Sequence, residues 1–266
     1  MLDIVKFWRE FVPREGNNIH PMDEEYLFGK GKSKKCSTIK ISHSIENKPE
    51  HPHTFRLGLL PQPYMGDIEN SRIVLVMLNP GFAGNEYEEH RDPISKEAIL
   101  NTIYQRFDGH LSNSRYMYLN HVFSETAGYK YLCNEKRKGQ EKGIIRDCID
   151  EFSVTLSISK INAEKFVSNN ICMIEPIPYH SEKFGSMTKC LQGLPSFLKA
   201  KEYLEEKVKD ERNKMFIVRR ERLYYESCFA SSNVERFVNG EGHSAFFTLE
   251  KHGGKLLESL SACFDR

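Results

Sequence analysis

Three short runs of apolar residues stand out along the chain, and each is followed at once by polar residues. The runs occupy positions 72–78, 171–177 and 215–218. Apolar runs of this length, separated by stretches of helical period, are typical of strands that are buried on both faces of a sheet. The pattern therefore predicts three core strands.

Apolar residues at helical spacing predict the helices between and around these strands. The predicted helices cover 3–12, 94–107, the run that begins at 194–196 with Ser196 as its N-cap, and 253–264. Strands that alternate with helices favour an α/β fold, here a three-layer α/β/α arrangement around a central, mainly parallel sheet of about four strands. A further strand is predicted at 116–123.

Neither an internal repeat nor a linker rich in Pro, Gly and Ser divides the chain. We therefore predict one domain over 1–266, with an N-terminal helix and loop extension at 1–70 and an insertion at about 83–165.

The charge balance limits the partners. The 266 residues contain 38 Lys and Arg against 37 Asp and Glu, so the net charge of +1 produces no global field for nucleic acid or membrane. Any patch that binds DNA must be local, and two basic runs, at 30–40 and 136–142, are candidates. Solvated loops explain both runs equally well.

The remaining composition predicts a cytoplasmic monomer without an obligate protein partner. The longest apolar runs are far shorter than the roughly 20 residues that span a bilayer, and the first ten residues lack the apolar stretch of a signal peptide. The seven cysteines are scattered, without a Cys-x-x-Cys pair, and are predicted to be reduced thiols. His43, His51 and His53 form only a weak metal pattern, so no metal and no cofactor is predicted.

Candidate chemistry follows the three predicted strands, because ligands of open parallel sheets bind beyond the carboxyl ends of the strands. Asn79-Pro80-Gly81-Phe82 follows the first strand, where an ordinary turn is the alternative interpretation. Glu175 ends the second strand and precedes Tyr179-His180-Ser181. The third is followed by Arg219-Arg220 and, further on, by Ser231-Ser232-Asn233, which offers donors to phosphate or simply caps a helix.

Together these three strand ends resemble the uracil-DNA glycosylase superfamily over about residues 72–240. Leu78-Asn79-Pro80-Gly81 is similar to the family's Asn-Pro-Gly motif, in the form found in its mismatch-specific branch. The resemblance implies that Asn79 positions the attacking water and that Phe82 stacks on the extruded base. Ser231-Ser232-Asn233 is the nearest match to the family's loop that enters DNA, although it has no His.

The chain departs from the family at the residue that reads the base edge. The family has an Asn there, whereas this chain has Glu175 in that general place. A carboxylate can accept a hydrogen bond from the exocyclic amine of cytosine, while uracil presents a carbonyl at that edge. Glu175 therefore favours a cytosine-type base, but it is equally a candidate general base or an ion-pair partner of Arg219 or Arg220.

The resemblance implies a monofunctional, metal-independent DNA glycosylase that flips a base and hydrolyses its N-glycosidic bond. Asn79, Glu175 and His180 are the predicted catalytic residues, and His180 would stabilise charge on the departing base or contact phosphate. The predicted base-binding residues are Pro80, Gly81, Phe82, Tyr179 and Ser181. The predicted DNA-binding residues are Arg219, Arg220, Ser231, Ser232 and Asn233.

A modified cytosine-type base is the predicted substrate, glucosylated hydroxymethylcytosine of phages being one example, and a role in antiviral defence is the corresponding hypothesis. This hypothesis comes from the resemblance of the chain to a bacterial branch of the superfamily. Three alternatives stay open: a uracil-DNA glycosylase, a non-catalytic DNA-binding module with the same fold, and an enzyme that acts on free nucleosides.

Overall fold

The structure is a computed structural model, and it describes most of the chain. The described residues are 2–29, 36, 39–44, 51–82, 86–107, 129, 132–133, 143–184, 189–217, 234–236 and 249–264. The strand predicted at 116–123 lies outside these residues, so it stays a prediction.

A five-stranded sheet forms the centre of the protein. Its strands lie in the order β3 (Tyr64–Met65), β5 (Ile171–Ile174), β4 (Ile73–Val76), β6 (Lys214–Ile217) and β7 (Val234–Arg236). Four strands are parallel and β3 runs antiparallel to β5, while β1 (Ile41–Ser42) and β2 (Phe55–Arg56) form a separate parallel pair. The three predicted strands and the mainly parallel sheet are confirmed, although β4 and β5 are shorter than their apolar runs and β6 begins one residue earlier.

The sequence of the central strands explains why they lie inside. Every residue of β4 and β5 is buried, so both faces of the sheet are covered. Val74 is paired with Cys172 on one side and with Met215 on the other, which places these three side chains on the same face. Such strands read as unbroken apolar runs because neither face meets water.

Nine helices are described along the chain. They are α1 (Asp3–Arg9), α2 (Pro21–Phe28), α3 (Glu86–Arg91), α4 (Pro93–Tyr104), α5 (Ile144–Thr155), α6 (Lys160–Asn170), α7 (Lys189–Gln192), α8 (Pro195–Lys207) and α9 (Leu249–Phe264). Helix α1 packs against α4 and α8, and α5, α6 and α9 pack against one another. Within the described part of the chain, no helix is long and apolar enough to cross a membrane.

The predicted N-terminal extension and the predicted insertion both contribute elements to the core. Helix α6 leads directly into β5, so the later part of the segment predicted as an insertion, about 83–165, forms the crossover between two central strands. The extension at 1–70, predicted as an N-terminal helix and loops, also supplies the edge strand β3 and the helix α2.

The N-cap predicted for α8 is wrong. Leu194 occupies the N-cap position, and Ser196 lies inside the first turn. The N–H of Ser196 donates to Asp23 Oδ1 at 2.9 Å, so a carboxylate from α2 satisfies the end of the helix. This carboxylate lies 173 residues away in the chain, so the sequence around the start of α8 does not indicate its role there.

The prediction that all cysteines are reduced is also wrong, because Cys36 and Cys190 form a disulfide. Cys133, Cys148 and Cys172 are free and buried, as expected of core thiols, and Cys263 is free and half-buried. Burial raises the pKa of the Cys172 thiol to about 11, which fits a core residue rather than a nucleophile. Cys228 lies outside the described residues.

Candidate functional site

Two chain segments run side by side beyond the carboxyl ends of β4 and β5. The N–H of Met77 donates to Ile174 O at 2.9 Å, and the N–H of Ile177 donates to Leu78 O at 2.9 Å. Further out, the N–H of Ser181 donates to Pro80 O at 3.2 Å. The sheet pairing thus continues as single hydrogen bonds, and it brings Asn79-Pro80-Gly81 against Tyr179-His180-Ser181.

The strand order places this region next to a topological switch point. From β4 the chain crosses to β5 on one side, and it then returns to β6 and β7 on the other side. In doubly wound sheets the connections on either side of such a point leave a crevice outside the carboxyl ends of the strands. Asn79 lies three residues beyond the end of β4, at this edge of the sheet.

The amide of Asn79 has one orientation. Its Nδ2 donates to Ser181 Oγ at 2.9 Å and to Pro80 O at 3.0 Å, and lies 3.4 Å from Tyr179 O. Because a carbonyl oxygen only accepts, the two carbonyls fix which end of the amide faces them. Among the described residues none donates to Asn79 Oδ1, so this atom is left to accept a hydrogen bond.

Gly81 and Phe82 form the outer side of this turn. Gly81 is exposed, and a Cβ atom at this position would meet none of the described residues within 4 Å. The Phe82 ring is half-buried and has the guanidinium carbon of Arg56 3.6 Å from its centroid. This cation–π contact with a buried Arg holds the ring in place.

The structure adds polar residues that the sequence reasoning missed. Arg56 is 1% exposed and donates from Nη1 to the hydroxyl of Tyr87 at 2.7 Å. Glu86, on the same helix as Tyr87, is also buried, and His90 follows one turn later. The sequence did contain signals for these residues. One is an Arg within the mostly apolar run TFRLGLL, and the other is the helical spacing of Glu, Tyr and His at 86–90.

The two histidines beside the turn have assigned tautomers. His180 Nδ1 lies 2.8 Å from Gly81 O and must carry the proton, since the carbonyl only accepts. His90 Nδ1 accepts from the N–H of Leu60 at 2.6 Å, so the proton of its neutral ring is on Nε2. The two rings meet edge to face, with centroids 5.7 Å apart. The hydrogen bond from His180 thus holds the backbone of Gly81 in place.

Burial lowers the pKa of His180, and nearby charges modify this effect. The carbonyl oxygen of Gly81 and the carboxylate of Glu86 raise the pKa, whereas the guanidinium of Arg56 lowers it. Burial also lowers the pKa of His90 well below its usual range, with the neighbouring His180 as the second cause. Both rings are therefore held neutral at neutral pH.

Acidification is expected to weaken the fold through His180. A folded-state pKa below the unfolded value of 6.5 means that the unfolded chain binds the proton first, so this stability is present above pH 6.5 and is lost as the pH falls towards the folded-state pKa. The slope from one such group is about 1.4 kcal/mol per pH unit. Urea unfolding at a series of pH values measures it.

His180→Asn is the matched variant for this measurement, because the amide nitrogen of Asn can replace Nδ1 as the donor to Gly81 without titrating. Its unfolding free energy should fall less steeply with acid than that of the wild type. Equal slopes in the two proteins would show that His180 does not contribute.

The other two predicted residues of the second strand end lie deeper. The Tyr179 hydroxyl donates to Asp23 Oδ2 at 2.5 Å and the ring is 2% exposed, so it offers no open face for stacking on a base. The side chain of Glu175 is buried directly after β5, where its N–H donates to Pro63 O at 2.8 Å. Glu175 therefore lies at the carboxyl end of β5, at the same edge of the sheet as Asn79.

The residues predicted to bind DNA lie outside the described part of the chain. They are Arg219, Arg220, Ser231, Ser232 and Asn233. The described residues contain no group of three or more His, Cys, Asp or Glu side chains that could hold a metal ion. His53 instead donates from Nδ1 to Lys183 O at 2.8 Å.

Comparisons of the chain with protein-family models, with curated proteins and with solved structures find no match.

Proposed function

We propose that the protein is a DNA glycosylase that hydrolyses the N-glycosidic bond of a flipped, modified cytosine-type base. The observation that carries the proposal is the fixed amide of Asn79, whose Nδ2 is bound by its neighbours while Oδ1 is left to accept. An acceptor held in one place can orient a water molecule for attack on the sugar. The resemblance of the Leu78-Asn79-Pro80-Gly81 motif to the uracil-DNA glycosylase superfamily supports the same role.

The turn after Asn79 carries an aromatic ring on which a planar ligand could stack. The half-buried ring of Phe82 has the guanidinium of Arg56 over one face and meets the ring of Tyr87 edge to face. An extruded base gains stacking energy against such a ring, and this offsets part of the few kcal/mol that flipping costs. Glu175 would accept from the exocyclic amine of a cytosine-type base, which is the reason for preferring cytosine over uracil.

Base release from defined DNA tests the proposal. Matched duplex and single-stranded oligonucleotides would carry uracil, cytosine, hydroxymethylcytosine or its glucosylated form, and alkali would cleave any abasic site. We expect cleavage of an oligonucleotide with a modified cytosine and none with plain cytosine. Preparations of Asn79→Ala, made in parallel, control for a contaminating glycosylase.

Each other outcome decides against part of the proposal. Release of uracil alone would make the protein a uracil-DNA glycosylase and would remove the argument from Glu175. DNA binding without release from any substrate would favour the non-catalytic module. Release from free nucleosides, with no salt-dependent binding to DNA, would favour an enzyme of nucleoside metabolism.

A further inference from the structure

The side chain that accepts from the Asn79 amide, beside the two carbonyls, is itself held in place. Ser181 is 2% exposed, and its Oγ accepts from Asn79 Nδ2 at 2.9 Å while donating to Lys183 O at 3.3 Å. A hydroxyl has a single proton, so donation to Lys183 directs the Ser181 lone pairs at the amide. Ser181 therefore favours the orientation in which Asn79 Oδ1 points away from it.

The final acceptor in this series of hydrogen bonds is Lys183 O, and two further hydrogen bonds hold the backbone of Lys183 in place. The N–H of Lys183 donates to Pro52 O at 2.9 Å, and His53 Nδ1 donates to the same Lys183 oxygen that receives the Ser181 hydroxyl. The order of donation thus runs from Asn79 to Ser181 and from Ser181 to Lys183. Because Lys183 O accepts twice and donates nothing, this order cannot reverse.

We propose that Ser181 is a positioning residue, which acts on the reaction by holding the Asn79 amide and does not contact the base. This inference rests on the proposed function, and it replaces the base contact expected for Ser181 from the sequence. A residue that orients a water-positioning group affects the rate of the chemical step, whereas a residue that contacts the base affects binding.

Single-turnover kinetics on the best substrate separate the two roles. Ser181→Ala should lower the rate constant of base release by about 10-fold to 100-fold and leave the Kd for the same DNA within about threefold. Ser181→Thr keeps the hydroxyl and should recover most of the rate. Ser153→Ala is the matched control, because the hydroxyl of Ser153 also donates to a backbone carbonyl, that of Ile158, but lies on α5.

A double variant makes the test independent of how well Ser181→Thr folds. If Ser181 acts through Asn79, adding Ser181→Ala to Asn79→Ala should produce no further loss. A full additional loss in the double variant, or a Kd change that accounts for the whole effect of Ser181→Ala, would overturn the inference.

The side-chain amide of Asn79 provides a readout that does not depend on activity. Its 15N–1H signals, identified by their disappearance in Asn79→Ala, should shift and exchange faster with solvent in Ser181→Ala than in the wild type. Unchanged signals would overturn the positioning role. A wild-type protein that releases no base from any DNA, while these signals change as expected, would contradict the proposed function and leave the contact itself established.

Discussion

Replacement of Asn79 by alanine is expected to lower the single-turnover rate of base release by at least about 100-fold, while the affinity for DNA changes little. The reason is that Oδ1 of Asn79 is an acceptor fixed in one position, which can orient the attacking water in advance. In the variant, the water would have to become oriented during the reaction itself. The measurement is the rate constant of abasic-site formation with enzyme in excess, together with a Kd from fluorescence anisotropy.

The variant also removes a buried amide, and this second effect needs its own control. Pro80 O and Tyr179 O would lose their donor, which should lower the free energy of unfolding by about 1–2 kcal/mol. Asn18→Ala removes another buried amide, one that donates to Gly58 O. If Asn18→Ala loses as much base release as Asn79→Ala at equal folded fraction, destabilisation explains the effect and the role of Asn79 is refuted.

The second large effect is expected in the core rather than at the site. Asp23 is fully buried, accepts from the Tyr179 hydroxyl and from the N–H of Ser196, and so joins α2, the segment after β5 and α8. Burial raises the pKa of this carboxyl, and the hydrogen bonds from Ser196 and Tyr179 oppose that effect. Asp23→Ala would leave both donors buried without an acceptor, at a cost of about 2–4 kcal/mol in the free energy of unfolding.

Denaturant unfolding of three variants checks this expectation. Asp23→Asn keeps an acceptor for Ser196, and the Tyr179 hydroxyl can turn to accept from the amide, so its loss should be smaller. Asp3→Ala removes an exposed carboxylate that pairs with Lys6 and should change stability by less than about 1 kcal/mol. An Asp23→Ala protein as stable as Asp3→Ala would mean that water or a rearranged loop satisfies both donors.

The central strands could be predicted because their signal is local. Positions 73–78, 171–174 and 215–218 are apolar throughout, and short apolar runs between helices are typical of buried strands. Helix α2 was missed since its residues, from Pro21 to Phe28, alternate little and its start depends on His20, whose Nδ1 accepts from the N–H of Met22. Histidine is an uncommon N-cap, so the pattern did not stand out.

For the candidate site, the sequence could predict only the residues that directly follow a strand. Asn79, Gly81 and Phe82 follow one strand and were found from their order in the sequence. Arg56 and Tyr87 reach the same place from the N-terminal extension and from α3, and only the folded chain shows that their side chains meet. The burial of Tyr179 could not be predicted for the same reason, because its partner Asp23 lies 156 residues away.

The edge strand β3 has a consequence for association between copies of the protein. An uncovered strand at the border of a sheet presents a row of N–H and C=O groups that can pair with another chain. Tyr64 and Met65 occupy that position beside β5, both are buried, and the Tyr64 hydroxyl is anchored to Ile103 O at 2.5 Å. This border is therefore closed to edge-to-edge pairing, which removes one route to aggregation when the protein is concentrated.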